Sequence, residues 1–122
     1  MRNATSCLAV AAAVAAAALL SPRAAEAKEV TAASTIVQVK INEKSDIEHA
    51  LYHGAIWLEH DKQENTYRWG GKACGNAELS PANLGVLFDA FRARYIVILD
   101  YKLHAFKSKR YRCITGFTVS RS

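Results

Sequence analysis

The clearest pattern of apolar and polar positions lies in residues 80–119. Leu84, Leu87, Phe88 and Phe91 recur at i, i+3, i+4 and i+7, with Asp89, Arg92 and Arg94 off that stripe, so an amphipathic helix with one covered face is predicted. Ser80 can cap its first turn and Pro81 suits the first helical position, which needs no N–H; the helix therefore spans residues 80–94. It runs straight into two strand-like stretches, 95–103 and 111–119, joined by a basic turn at 105–110. Val97, Leu99 and Tyr101 should face inward in the first of these, with Ile96 and Ile98 on a second, partly covered face. In the other, Tyr111, Cys113, Thr115, Phe117 and Val119 share one face, and Arg112, Ile114, Gly116 and Thr118 the opposite one.

Upstream, residues 35–41 alternate as a strand with one buried face, Val37, Val39 and Ile41 opposite Ile36 and Gln38. Ser45 to Glu48 has capping-box spacing, which predicts one or two helical turns to about Tyr52, ended by Gly54. Residues 55–59 form a second strand, Ile56 and Leu58 opposite Trp57, and the wholly polar 60–65 a hairpin loop. Residues 66–74 return as a third strand in which Gly70-Gly71 marks a bulge or sharp bend. The segment 28–34, small and polar, is expected to fray. The order β-β-β-α-β-β in one domain, 28–122, predicts a mainly β protein with one amphipathic helix, an OB-fold-like Greek-key barrel; the alternative is a small α+β sandwich with the helix over an open sheet.

Residues 1–27 are excluded from that domain. Arg2, an apolar run of 14 residues from Cys7 to Leu20 and the small-x-small site Ala25-Glu26-Ala27 describe a secretory signal peptide, so a secreted or periplasmic protein is expected. The run is shorter than the roughly 20 residues of a membrane span, and no stable span is expected. Cleavage leaves two cysteines, Cys74 and Cys113, and an even count in an exported chain favours a disulfide over two buried thiols.

The formal charge of the whole chain is +5. Its asymmetry matters more: Lys102, Lys107, Lys109, Arg110, Arg112 and Arg121 follow one another with no acidic residue among them. Such a basic edge attracts anionic partners such as sialylated or sulfated glycans, lipid head groups or nucleic acid; a lysine-protected sheet edge is the other reading. Aromatic residues interleave with these cations on strands and loops, the pairing that stacks sugars or bases beside a positive charge. The residues expected to bind ligand are Tyr67, Trp69, Tyr101, Lys102, Arg110 and Arg112.

Enzymatic chemistry has little support. His53, Glu59, His60, His104 and Arg112 could assemble a small secreted nuclease, but no motif orders them. His49 and His53 at i, i+4 lack a third metal ligand of fixed spacing, and no Gly-rich phosphate loop or metal motif occurs. No catalytic residue, metal or cofactor is expected.

The export signal, the mature length, the disulfide and the ordered unit LSPANLGVLFDAFRARYIVILDYKLHAF resemble the B subunits of pentameric AB-type bacterial toxins of the pertussis, subtilase and typhoid group, and equally a generic exported OB-fold domain. The toxin resemblance implies an OB barrel, a homopentamer that binds cell-surface glycans, and a separate catalytic subunit. A non-enzymatic glycan-binding module is thus the leading expectation, with a periplasmic protein-binding inhibitor or stress protein, or a small nuclease, as alternatives.

Overall fold

The computed structural model describes residues 28–59 and 66–121; the leader at 1–27 and the polar loop at 60–65 lie outside the described residues. Among the described residues the chain is mainly β with a single α-helix, as its periodicity predicts. Its strands are β1 (Glu29–Val30), β2 (Ile36–Ile41), β3 (Gly54–Leu58) and β4 (Thr66–Trp69), then, after the helix α1 (Pro81–Ala93), β5 (Ile96–Phe106) and β6 (Lys109–Ser120). They form one sheet in the order β1-β5-β6-β4-β3-β2, antiparallel except where β4 meets β6 in parallel at Arg68 and Cys113.

The two ends of that order belong to one stretch of chain. Ser34 exchanges both backbone bonds with Val97, at 3.0 and 2.7 Å, while the carbonyl of the next residue, Thr35, accepts from Glu59 N at 3.0 Å. Consecutive residues thus bond to β5 on one side and to Glu59, directly after β3, on the other, which closes the sheet on itself. Residues 28–34, expected to fray, are part of this seam: Thr31 N donates to the Leu99 carbonyl, Leu99 N to Thr31 Oγ1, and Ser34 is buried. Their small side chains allow close approach to β5, which the sequence does not reveal.

The enclosed core contains Ile36, Ile56, Leu58, Tyr67, Trp69, Val97, Leu99 and Ile114, with Leu87 and Ala90 of α1 packed against them. Ser80 Oγ accepts from Asn83 N and Pro81 opens α1, as predicted. The buried stripe is rotated from the expected one, however. Ala90 is fully buried and Phe91 is exposed, because the small Ala90 lets the helix lie close to the core and turns Phe91 outward beside Val37.

Two irregularities of register shift the strand patterns. In β2 the pairing slips between Ile36 and Gln38, so Ile36 joins Val39 in the core and Val37 is exposed, contrary to the alternation expected of that strand; Ile41, at the strand's end, is exposed as well. In β6, Asp100 pairs with Gly116 but Tyr101 pairs with Ile114; Thr115 is the extra residue, and both Cys113 and Ile114 are consequently buried, one on each side of the sheet. Other boundaries also move. Asp46, not Ser45, caps the short 3₁₀ turn Ile47–Ala50 by accepting from Glu48 N, and Gly54 opens β3 instead of ending a helix. The third strand stops at Trp69, where Gly70 and Gly71 adopt φ of +73° and +69°; Cys74 therefore lies in a second 3₁₀ turn, Lys72–Cys74, and not in a strand. The basic turn at 105–110 contracts to Lys107-Ser108, both at positive φ, with the two strands paired up to Phe106 and Lys109.

Cys74 and Cys113 form the expected disulfide, with Cα atoms 5.6 Å apart. It ties the second 3₁₀ turn to β6. On that outer side a smaller cluster of Tyr52, Ala55 and Ala73 gathers Leu51, Trp57 and Tyr111. No helix among the described residues is long and apolar enough to cross a membrane.

Candidate functional site

Three of the six residues singled out by sequence come together on the barrel wall. Tyr67 extends from β4, Tyr101 from β5 and Arg112 from β6, and the tyrosine rings meet edge to face with centroids 5.2 Å apart. The Arg112 guanidinium carbon lies 5.5 Å from the Tyr67 centroid and 5.7 Å from that of Tyr101, and Nη1 donates to Tyr67 Oη at 3.4 Å. Val30, Thr31, Ala32, Ser34 and Leu58 complete a recess of about 290 Å³ around them. All three have further partners, so the group is held and not free to swing.

The recess follows from the fold. The bulge at Thr115 puts Tyr101 opposite Ile114, and hence its neighbour Leu103 opposite Arg112, on the wall that the N-terminal seam borders. Tyr67 is only 2% exposed and serves as a wall, its hydroxyl fixed by Arg112, whereas the half-buried Tyr101 and Arg112 remain accessible from the opening. The arrangement pairs an aromatic face with a guanidinium, which can accept an apolar ring face and a planar anion together.

The other three residues fall elsewhere. Trp69 is 2% exposed and packs into the core across from Gly54, its register partner, so it presents no face to a ligand. Lys102 and Arg110 line a broader recess of about 590 Å³ with His104, Leu103 and the two cysteines.

A second aromatic and cationic group was not favoured by the sequence reading. The Arg68 guanidinium lies 4.9 Å from the Tyr52 ring and 5.2 Å from that of Tyr111, and Lys40 Nζ is 5.6 Å from Tyr52. Arg68 Nε is buried without a hydrogen-bond partner. The signal for this ladder is the period-2 alternation of the strand, which turns Tyr67 inward and its immediate neighbour Arg68 outward. Lys40 Nζ also donates to Glu48 Oε2 at 2.6 Å and to Tyr52 Oη at 3.3 Å; those bonds, Glu48 first, hold the ammonium charged above the usual lysine range.

The histidines are individually engaged. His49 and His53 stack at 4.1 Å with an interplanar angle of 10°; His49 Nδ1 faces the Asn42 carbonyl and His53 Nδ1 faces Glu78 Oε1 at 3.2 Å. Parallel rings direct their lone pairs side by side instead of toward one ion, and no set of three metal-ligating side chains occurs among the described residues. His104 Nδ1 bonds to the Ala73 carbonyl at 2.8 Å and Glu59 accepts from Thr35 Oγ1, so these members of the nuclease constellation are turned to separate structural contacts; His60 lies outside the described residues.

Comparison of the chain with family models, with curated proteins and with solved structures finds no significant match.

Proposed function

We propose that this protein is an exported, non-enzymatic binding module, an OB-like barrel that takes a short anionic glycan in the recess formed by Tyr67, Tyr101 and Arg112. The observation that carries the reading is the joint position of an accessible tyrosine face and a guanidinium fixed by a buried hydroxyl. A sugar ring would lie against Tyr101, and its carboxylate or sulfate would receive charge-assisted hydrogen bonds from Arg112. Burial of Tyr67 assigns it to support: it orients Arg112 and stays out of the ligand's way.

A glycan array read beside native mass tests this. Binding to carboxylated or sulfated glycans should weaken about 10- to 100-fold in Arg112→Gln, the loss of a charge-assisted hydrogen bond worth about 1.5–3 kcal/mol. Tyr101→Ala should lose the same ligands. Unchanged binding in both variants would remove the proposal.

The ring-forming version, with a separate catalytic subunit, draws support from the outer face of α1. Phe91 and Val37 are exposed side by side, flanked by Arg92, Arg94 and Glu59 in an open groove. An apolar pair rimmed by both signs of charge suits contact between identical copies. A native mass five times that of the chain is expected on that version, and a monomer at micromolar concentration would exclude it.

A further inference from the structure

Lys102 and Arg110 stand apart from the Tyr101–Arg112 recess, in a setting of their own. Beyond Tyr101 the β5–β6 hairpin runs on past its neighbours: β1 pairs with β5 only at Asp100 and Tyr101, and β4 with β6 only at Arg68 and Cys113. What continues is a two-stranded ribbon, paired from Lys102 and Cys113 out to Phe106 and Lys109. Its root is fixed by the disulfide and by His104 bonding to Ala73, which stiffens an element that would be marginal alone.

The ribbon carries Lys102, Lys107, Lys109 and Arg110, all exposed, together with Arg112, whose side chain is turned to Tyr67 and Tyr101, and no acidic residue. Among the described residues no carboxylate or hydrogen-bond acceptor engages any of the four; Lys107 rests over the Phe106 ring at 5.5 Å. Beside Lys102, His104 and Arg110 opens the recess of about 590 Å³, floored by Leu103, Ala105 and the disulfide, with Glu29 as the one acid in its lining.

We propose that this ribbon is a second binding site, for a sulfated linear polysaccharide. Lys102 shares a face with its register partner Cys113, Arg110 sits with Ala105 on the opposite face, and Lys107 is at the tip, so the cations encircle the ribbon instead of forming one plane. A flat lipid surface can meet one face at a time. A flexible chain with sulfates at short intervals can follow all four around an element about 17–20 Å long. Ammonium and guanidinium groups both donate to sulfate oxygens, and their uncommitted state means that binding exchanges small counterions for the polymer. The site does not depend on the recess reading, and the two are separable by mutation.

Heparin is the probe, with the disulfide-bonded protein. The affinity should fall with salt along a log–log slope of about 4, one per cation, and Lys102→Gln, Lys107→Gln, Lys109→Gln and Arg110→Gln should each lower that slope by about 1. The fourfold variant should bind at least tenfold more weakly at physiological salt, while Tyr101→Ala leaves heparin binding intact. Three results overturn the proposal. Lys44→Gln with Arg121→Gln, which removes charge away from the ribbon, could weaken binding as much as two ribbon substitutions, leaving only net charge. Tyr101→Ala could abolish heparin binding, making the two surfaces one site. Ribbon variants could keep heparin yet lose vesicles of phosphatidylcholine with about one-third phosphatidylserine, making this a lipid site.

Discussion

Gly54 and Trp69 decide one another. They are register partners on β3 and β4, and a Cβ at position 54 would fall inside contact distance of the indole and 2.7 Å from the Lys40 carbonyl oxygen. Gly54→Ala should therefore destabilise the fold by about 2–3 kcal/mol in denaturant titration. Gly85 provides the contrast: nothing lies within 4 Å of an added Cβ, so Gly85→Ala within α1 should stabilise by about 0.5–1 kcal/mol. The sequence placed Trp69 among the ligand-binding residues; the glycine opposite is what admits it to the core instead. Val97, Leu99, Ile56 and Leu58 were legible because period 2 determines their side of the wall. The pull of Glu48 and Tyr52 on Lys40 has a pH signature with a definite sign. The raised lysine pKa gives stability that is present below the usual lysine range and lost as pH rises through the folded value. Denaturation of Lys40→Met and the parent should thus differ at neutral pH and converge only on the strongly alkaline side.

At the scale of elements, turn chemistry and bulges separate what the pattern revealed from what it concealed. The β5–β6 hairpin turns on Lys107-Ser108 with φ of +47° and +69°, a geometry that asparagine and glycine adopt with less strain. Lys107→Asn with Ser108→Gly should stabilise the protein by about 0.5–1 kcal/mol, read from the urea midpoint. Ser80→Ala should cost about 1 kcal/mol through the lost bond to Asn83 N. That cap and Pro81 announced the helix start in the sequence. No comparable residue announces the extra Thr115 in β6 or the slip after Ile36, since a bulge changes which side chains face inward without changing composition. For that reason Arg112 could be named from its charge and its aromatic neighbours, but not its place beside Tyr101.

For the molecule as a whole, one covalent link and one seam complete the barrel. Cys74 and Cys113 are separated by 39 residues, and a loop of that size corresponds to about 3–4 kcal/mol in the chain-entropy model. Reduction, or Cys74→Ala with Cys113→Ala, should lower the denaturation midpoint accordingly. The cysteine count made the bond legible, whereas the spread of Tyr67, Lys102 and Trp69 over a recess, a ribbon and the core required the register of every strand. The seam at Ser34-Thr35 has a mechanical consequence. Since adjacent peptide groups there grip opposite neighbours, this edge cannot slide along one without letting go of the other, much as a zip slider holds both rows of teeth. A single residue inserted between them would leave just one grip intact, and amides of Val97 and Leu99 or of Glu59 should then exchange with solvent far sooner, according to which side is released.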